Sequence, residues 1–452
     1  MARTAREAVA PLYLLLCLLL GGSAQGVWTN LILQLLGVAI IGWAAAARAT
    51  EPLGRAARQL FWIVLAGLVV VLIQLIPLPA TLWPRLGGRE QLAAGYDLLG
   101  LAVPPLPVSL APDDSISTLL TLIPALAMLC AILALKAYRP VWLALALLAG
   151  VILGIVLGAL QVASPDPFTS PWYLYPRSSV GMATGLFANS NHMAIALVVT
   201  LPFLAAMLAS ARRADPRRYS ASLVPVAVTA LVVVVGIALN QSLAGYGLAV
   251  PVIAASSLLI IRRQSPAVRW IVGTTAVLLV AAIIALVLSP IGDRSLGTSR
   301  SVESRETMTA TTLRAAGDFL PLGSGLGTFR GIYRLYEDHD RVTSTYVNHA
   351  HDDYAELALE TGIPGMIVLA LFLWWWGAAA WRAWRFGDAG PYARAASLAS
   401  AAILIHSAVD FPLRTAAISV VFAMSLALLV ERRARAHSQQ SELRPTRHVE
   451  LA

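Results

Sequence analysis

Residues 141–161 read VWLALALLAGVILGIVLGALQ, an apolar stretch without a single charged side chain. A helix of about 20 such residues spans the hydrocarbon core of a bilayer. Similar runs recur along the 452 residues, and only 13% of the residues are charged. Soluble proteins carry about 25% charged residues. The sequence therefore predicts an all-α polytopic membrane protein with about twelve transmembrane helices. The predicted runs are 8–22, 31–47, 60–76, 116–135, 141–161, 191–210, 223–239, 243–261, 270–288, 363–381, 395–409 and 416–430.

The basic residues predict the topology. Of 33 Lys and Arg, 22 fall in one set of alternating connections, four in the short connections of the other set, and seven in one long loop. Short cytoplasmic loops are enriched in Lys and Arg, whereas long loops do not determine orientation. We therefore expect both termini in the cytoplasm and the long loop, residues 289–362 between the ninth and tenth helices, outside. The net charge of +9 is explained by these clusters, so nucleic-acid binding is not expected.

The N-terminal segment allows two interpretations. Arg3 and Arg6, the apolar residues 8–20 and the small residues 22–24 resemble a signal peptide. An uncleaved first helix is favoured, because such helices are usual when many more follow. At the other end, residues 434–452 are polar and predict a disordered cytoplasmic tail.

The long loop predicts three short helices. The first runs from an N-cap at Ser304 to about residue 316, and three glycines at 323, 325 and 327 then predict a flexible turn. Residues 329–335 form a second, amphipathic stretch. A third helix, residues 351–361, carries an acidic row with i,i+4 spacing and stops at a glycine before the next span.

The segment YVNHAHDDYAELALETGIPG, residues 346–365, contains the densest group of reactive side chains. Four interpretations of His349, His351 and the adjacent acids compete. They are a solvated loop, a metal site, a general base, and a transporter proton relay. The spacing matches neither HExxH nor another metal-ligand set, and the apolar runs contain almost no ionisable groups for a relay. The pKa of an ordinary imidazole, near 6.5, suits proton removal at neutral pH.

Two motifs give a resemblance to a known family. HDDYAELALETGIPG at 351–365, and RSSVGMATGLFANSNHMA at 177–194, resemble the signatures of the O-antigen ligase and polymerase family. The resemblance covers residues 175–375, which we take as an O-antigen ligase-related core that includes the long loop. Around it we expect N-terminal transmembrane helices over 1–174 and C-terminal transmembrane helices over 376–433.

The resemblance implies an activity. Family members are similar to metal-independent, cofactor-free glycosyltransferases on the periplasmic side of the bacterial inner membrane. They move a glycan from undecaprenyl pyrophosphate to an acceptor hydroxyl during lipopolysaccharide or other polysaccharide biosynthesis. A ligase uses lipid A-core as acceptor, and a polymerase uses another glycan. The alternatives are a transporter or flippase for the same lipid-linked glycan, and a non-catalytic assembly subunit.

The resemblance also implies site residues. His351 matches the essential histidine and is expected to be the general base. Arg177 and Arg305 match arginines that would hold the donor pyrophosphate, which suits the bidentate geometry of a guanidinium. Secondary candidates are Arg300 and Arg314, which could replace Arg305, together with His349, Asp352 and Asn191.

Further residues near these motifs have structural interpretations. Asp352 stands where many members have Asn and could raise the basicity of His351. Asn189, Asn191 and His192 are expected to cap a span or line the cavity. His406 and Asp410 are expected to form a buried pair. One departure weakens the donor-site assignment, because residues 240–242 read Asn-Gln-Ser where many members carry a Ser-Arg pair.

Overall fold

The computed structural model describes residues 2–24, 27–47, 52–261, 298–338, 340, 347–386 and 389–431, with isolated positions between 266 and 281. The described part is almost entirely helical. In chain order the elements are α1 (Ala2–Glu7), α2 (Val9–Leu20), α3 (Trp28–Ala46), α4 (Arg55–Gln74), β1 (Pro77–Leu78), α5 (Glu90–Leu98), β2 (Leu106–Pro107), α6 (Pro112–Leu120), α7 (Ile123–Leu129), α8 (Pro140–Ala163), α9 (Ser190–Ala214), α10 (Pro216–Asn240), α11 (Leu243–Ile261), α12 (Thr298–Asp318), α13 (Phe329–Tyr336), α14 (Asp353–Arg385), α15 (Pro391–His406) and α16 (Ala416–Val430).

Eight helices of the described residues are long and apolar enough to cross a membrane. This confirms a multi-pass, all-α membrane protein. Three more predicted runs form the shorter helices α2, α15 and α16. The predicted ninth run, 270–288, lies outside the described residues, apart from a few isolated positions. The total of twelve spans and the placement of the long loop between the ninth and tenth therefore stay predictions.

The connections gather at the two opposite ends of the helix bundle. At one end Lys136 binds Glu431, and Arg139 binds Glu7. At the other, which we call the site end, the 20–24 connection contacts both the loop before α9 and the start of α16. There the amide of Gly22 donates to the Tyr175 hydroxyl, 3.2 Å away. Connections that the charge pattern predicted to share one side of the membrane thus share one end of the bundle.

Helix α9 lies at the centre of the bundle. It packs against α10, α11 and α15, and most of its length is buried. The side chain of Asn189 caps its first turn by accepting a hydrogen bond from the amide of Asn191, at 2.8 Å. Because α9 begins at the site end, its first residues project toward the long loop.

A buried arginine joins the proline-rich segment of residues 75–111 to the long loop. The Arg89 guanidinium donates to the carbonyls of Val108 and Gly323, and lies within 6 Å of the Trp83 and Phe319 ring centres. Its side chain is fully buried. Burial lowers the pKa of Arg89 to about 10, although the charge of the adjacent Glu90 opposes the shift.

The predicted flexible turn at residues 323–327 is instead tightly packed. All three glycines have positive φ, between 79° and 112°, a conformation that side chains disfavour. A Cβ on Gly327 would lie 2.7 Å from the carbonyl oxygen of Asp114. The Gln74 side chain fixes the same turn, because it donates to the Leu322 carbonyl and accepts from the amide of Leu326. The sequence identified a turn, but the packing that immobilises it comes from distant residues.

The loop helices differ from the prediction at their starts. Helix α12 begins at Thr298, so an N-cap at Ser304 is wrong, and it ends close to the predicted position. Helix α13 is confirmed. Helix α14 starts at Asp353, two residues later than expected, and bends at Gly362, where φ is 56° and ψ −150°. Gly362 is therefore not helical, and the predicted stop is confirmed: the loop helix ends there and the span follows in a new direction.

Candidate functional site

His351 lies at the site end, in the short turn that precedes α14. Its backbone adopts the left-handed region with φ 53°, which non-glycine residues rarely do. The ring Nδ1 lies 3.1 Å from Oδ1 of Asp410. The side chain keeps 21% of its surface exposed, whereas Asp410 is fully buried. An imidazole held at one nitrogen by a carboxylate, with part of the ring accessible, is the arrangement of a general base and its orienting group.

Asp410 receives hydrogen bonds from three directions. Besides His351, the amide of Phe411 donates to Oδ1 at 2.9 Å, and the side-chain amide of Asn189 approaches Oδ2 at 3.4 Å. Burial alone would raise the pKa of this carboxyl. The hydrogen bond from His351 and the nearby imidazoles, including His192, outweigh burial and lower the pKa of Asp410 well below its usual range. The group is therefore ionised at neutral pH and can stabilise a protonated His351.

Phe411 packs against three imidazoles. Its ring centre lies 4.3 Å from that of His349, 4.9 Å from that of His351, and 5.1 Å from that of His192. The contacts with His351 and His192 are edge-on, which the charge distribution of aromatic rings favours. Asp410 holds the His351 ring at Nδ1. The Phe411 ring packs against the same imidazole and restricts its rotation.

Arg305 lies beside the same segment. Its Nη1 lies 3.4 Å from the carbonyl of Val409, the residue before Asp410. The structure therefore brings Arg305 and His351 to a common segment, as a site that combines a base with a cation requires. Arg177 is exposed at the same end, in the loop that leads to Asn189.

The other predicted arginines lie elsewhere or cannot be placed. Arg314 is about 13 Å further along α12 than Arg305, given a rise of 1.5 Å per residue. It contacts Thr311 and lies near Tyr333 and Tyr336 rather than the histidines. The side chain of Arg300 lies outside the described part of the chain.

His349 belongs to a buried polar network. Its Nδ1 lies 3.0 Å from Oε1 of Glu356, and the amide of Ala350 donates to Oε2 of the same carboxylate at 3.1 Å. Glu356 in turn contacts Nη2 of Arg414 at 3.2 Å. The acidic row predicted on α14 is therefore buried at this position and braces the turn that carries His351.

Two expected pairings differ in the structure. Asp352 does not contact the His351 ring through any described hydrogen bond; its Oδ1 caps α14 by accepting from the amides of Tyr354 and Ala355. His406 and Asp410 are both buried, and the amide of Asp410 donates to the His406 carbonyl at 3.0 Å, but neither ring nitrogen of His406 has a hydrogen-bond partner among the described residues. The Asp410 carboxylate binds the His351 ring instead.

The segment without the family's usual arginine also reaches the site end. The Ser242 hydroxyl donates to Oδ1 of Asn191 at 2.7 Å, and the Asn240 side chain donates to the Ala183 and Ser190 carbonyls. These bonds connect α10 and α11 to the loop before α9. The bond from Ser242 gives Asn191 a structural partner, and the separate bond from the Asn191 amide to Oδ1 of Asn189 confirms that Asn189 caps a span.

The short segment Asp410-Phe411-Pro412-Leu413-Arg414 is the part of the site that sequence reasoning missed as a unit. Asp410 was expected only to pair with His406, and Arg414 was only one of the four basic residues counted in the short connections. One signal was present: Asp410 directly follows the apolar run 395–409, and ionisable residues within or next to membrane spans often have a functional role. Nothing in the sequence identified His351 and Glu356 as the partners.

Comparison with known families agrees with the resemblance. Residues 228–370 match the sequence model of the family described as O-antigen ligase. The match includes Arg305 and His351, and it ends before Asp410 and Arg414. No curated protein sequence matches the chain.

Proposed function

We propose that the chain is a membrane enzyme of the O-antigen ligase and polymerase type, and that it transfers a glycan from undecaprenyl pyrophosphate to an acceptor hydroxyl. The match of residues 228–370 to the O-antigen ligase family model supports this proposal. The observation that carries this proposal is the His351–Asp410 pair at 3.1 Å beside Arg305. The transfer needs a base and a cation in one site, because the acceptor must lose a proton while the donor releases a pyrophosphate.

His351 acts as the general base. Its Nδ1–H donates to Asp410, which leaves the lone pair of Nε2 to accept the proton of the acceptor hydroxyl. The acceptor oxygen then forms a bond to the anomeric carbon as the bond from that carbon to the pyrophosphate oxygen breaks. The bonding electrons leave with the pyrophosphate. A single displacement of this kind inverts the anomeric carbon.

Arg305 and Arg177 stabilise the leaving group. The departing diphosphate gains negative charge in the transition state, and fixed guanidinium groups stabilise it through charge-assisted hydrogen bonds. Arg305 is the better supported of the two, because it contacts the segment that also carries Asp410. The chemistry assigned to these residues needs no cofactor and no metal ion.

The site end faces the periplasm of the bacterial inner membrane in this proposal. The distribution of Lys and Arg supports that orientation, with both termini in the cytoplasm. The donor lipid and a membrane-bound acceptor such as lipid A-core would meet the site at the outer lipid–water boundary. A polymerase would use the same donor and base with a second lipid-linked glycan as acceptor.

A transporter or flippase for the same lipid-linked glycan is the alternative. Relay groups in transporters are expected at depth in the membrane. Among the described residues near His351, the buried Asp410 and the partly buried Arg414 lie instead in the turn between α15 and α16. This position favours transfer chemistry at one face of the membrane.

The test is reconstitution of the full-length protein in liposomes with an undecaprenyl pyrophosphate-linked oligosaccharide and purified lipid A-core. We expect the wild type to form the glycosylated acceptor and His351→Ala to form none. Product formation by His351→Ala at the wild-type rate would overturn the catalytic assignment. Movement of the donor across the bilayer without product would support the transporter instead.

A further inference from the structure

Arg414 is the centre of a buried charge network next to the proposed base. Its Nη2 lies 3.2 Å from Glu356 and 3.4 Å from Glu360, and its Nε lies 3.5 Å from Asp353. The Glu356 and Glu360 side chains are essentially fully buried. The carboxylates raise the pKa of Arg414 despite its burial, so the guanidinium remains charged. A single guanidinium thus contacts the carboxyl groups of three acidic residues of α14.

Of the two glutamates, Glu356 is the one that bonds in the described contacts to the turn that carries His351. Glu356 accepts from the amide of Ala350 and pairs with Nδ1 of His349, the two residues before His351. Glu360 points the other way: its backbone carbonyl accepts from Gln74, and its carboxylate accepts from the amide of Phe329. The network therefore has a branch toward the base and a branch toward the glycine turn.

The His351 backbone needs such a brace. A non-glycine residue in the left-handed region is strained, and it persists only where its surroundings hold it there. On one side of His351 the Ala350 amide is held by Glu356, and on the other the Asp352 side chain caps α14. Loss of the Glu356 contact would free the turn on its N-terminal side.

Residues 410–414 act on this turn at both ends. Asp410 binds the His351 ring, Phe411 packs against the His349 and His351 rings, and Arg414 holds Glu356. We propose that Glu356 and Arg414 are positioning residues that fix the His351 backbone, so that its ring meets both Asp410 and the acceptor hydroxyl. This inference rests on the proposed function, and it places part of the site outside residues 228–370.

The decisive comparison is Glu356→Gln against Glu360→Gln. Both changes replace a buried carboxylate that contacts Arg414 with an amide of the same shape, and only the first touches the His351 turn. A displacement of a catalytic group by about 1 Å costs about a hundredfold in rate. We expect Glu356→Gln to lower kcat about a hundredfold with the donor KM within about threefold, and Glu360→Gln to change kcat by threefold or less.

Equal losses of kcat in the two variants would overturn the inference, because they would reflect the charge balance of the network alone. An unchanged kcat in Glu356→Gln would also overturn it. His351→Ala is measured in the same preparation. If that variant remains active, the proposed function itself fails; if it is inactive while Glu356→Gln and Glu360→Gln behave alike, only the positioning role fails.

Arg414→Lys provides a second, conservative test in case the glutamine variants fold poorly. Lysine keeps the positive charge, but its single ammonium group cannot reproduce the planar guanidinium contacts with several carboxyl groups. We expect kcat to fall about tenfold. The matched control is Arg394→Lys, a buried arginine of α15 that donates to the Ala383 carbonyl, far along the helix from the site end. A comparable loss of kcat in both lysine variants, at similar thermal midpoints, would refute a specific role for Arg414.

Discussion

Replacement of Asp410 by Asn tests the proposed base most directly. The carboxylate accepts the Nδ1–H of His351 at 3.1 Å and is fully buried. An amide of the same shape removes the charge that stabilises the imidazolium. Its NH₂ group can also turn toward Nδ1, which would move the ring proton to Nε2 and leave no lone pair facing the acceptor.

The size of the effect follows from these two losses. A hydrogen bond to a charged group contributes about 1.5–3 kcal/mol, which corresponds to a roughly 10- to 150-fold change in rate. The wrong tautomer can extend the loss to about 10⁴-fold, as for other His–Asp pairs. We therefore expect kcat to fall at least tenfold, with little change in the KM of the donor, because Asp410 contacts the base rather than the phosphates.

The assay measures initial rates in liposomes at saturating donor and acceptor. Asp215→Asn is the control, because it makes the same chemical change at the N-cap of α10, away from the site end, where Asn caps equally well. If Asp410→Asn retained kcat within threefold of the wild type while folding normally, the His351–Asp410 pair could not be the catalytic unit.

Three further predictions concern the cation site and the scaffold. Arg305→Gln should raise the donor KM and lower kcat, with partial recovery in Arg305→Lys, whereas a purely structural Arg305 would leave the donor KM unchanged in steady-state assays. Arg89→Met should lower the thermal midpoint, because the hydrogen bonds from Arg89 to the buried Val108 and Gly323 carbonyls each contribute about 1.5–3 kcal/mol. An unchanged midpoint in a fluorescence melt would show that these bonds do not stabilise the fold. Gly362→Ala should destabilise by on the order of 1–3 kcal/mol, since φ is 56° and a Cβ would lie 2.6 Å from the Gly323 amide. Gly377→Ala is the control, because a Cβ there meets nothing within 4 Å, and we expect it to be neutral or slightly stabilising. Equal thermal midpoints for the two alanine variants would show that alanine causes no backbone strain at position 362.

The apolar runs predicted the helices well. Backbone polar groups in the hydrocarbon core must bond within their own segment, so a long apolar run has little choice but to form a helix. The run at 141–161, for instance, lies inside the observed helix α8, Pro140–Ala163. Helix starts in the long loop were less predictable. Ser304 has the chemistry of an N-cap, yet α12 begins six residues earlier and continues through it.

The family resemblance made His351 and Arg305 candidates, and the match of residues 228–370 to the family model supports the resemblance. It did not identify what those residues touch. Helical periodicity put Glu356 and Glu360 on one face of α14, but the polar row looked like a solvated surface. Their shared partner, Arg414, follows Glu360 by 54 residues and lies after another helix.

The order of apolar and basic segments by itself determined a polytopic helical bundle and a preferred orientation, because lipid leaves the backbone few alternatives. The motifs by themselves selected one histidine among seven as the candidate base. Only the tertiary structure decided which carboxylate serves that histidine and which residues fix its strained backbone. Asp410 and Arg414 reach the His351 turn because α14, α15 and α16 pack side by side, and contacts across such distances in sequence leave no periodic trace in the chain.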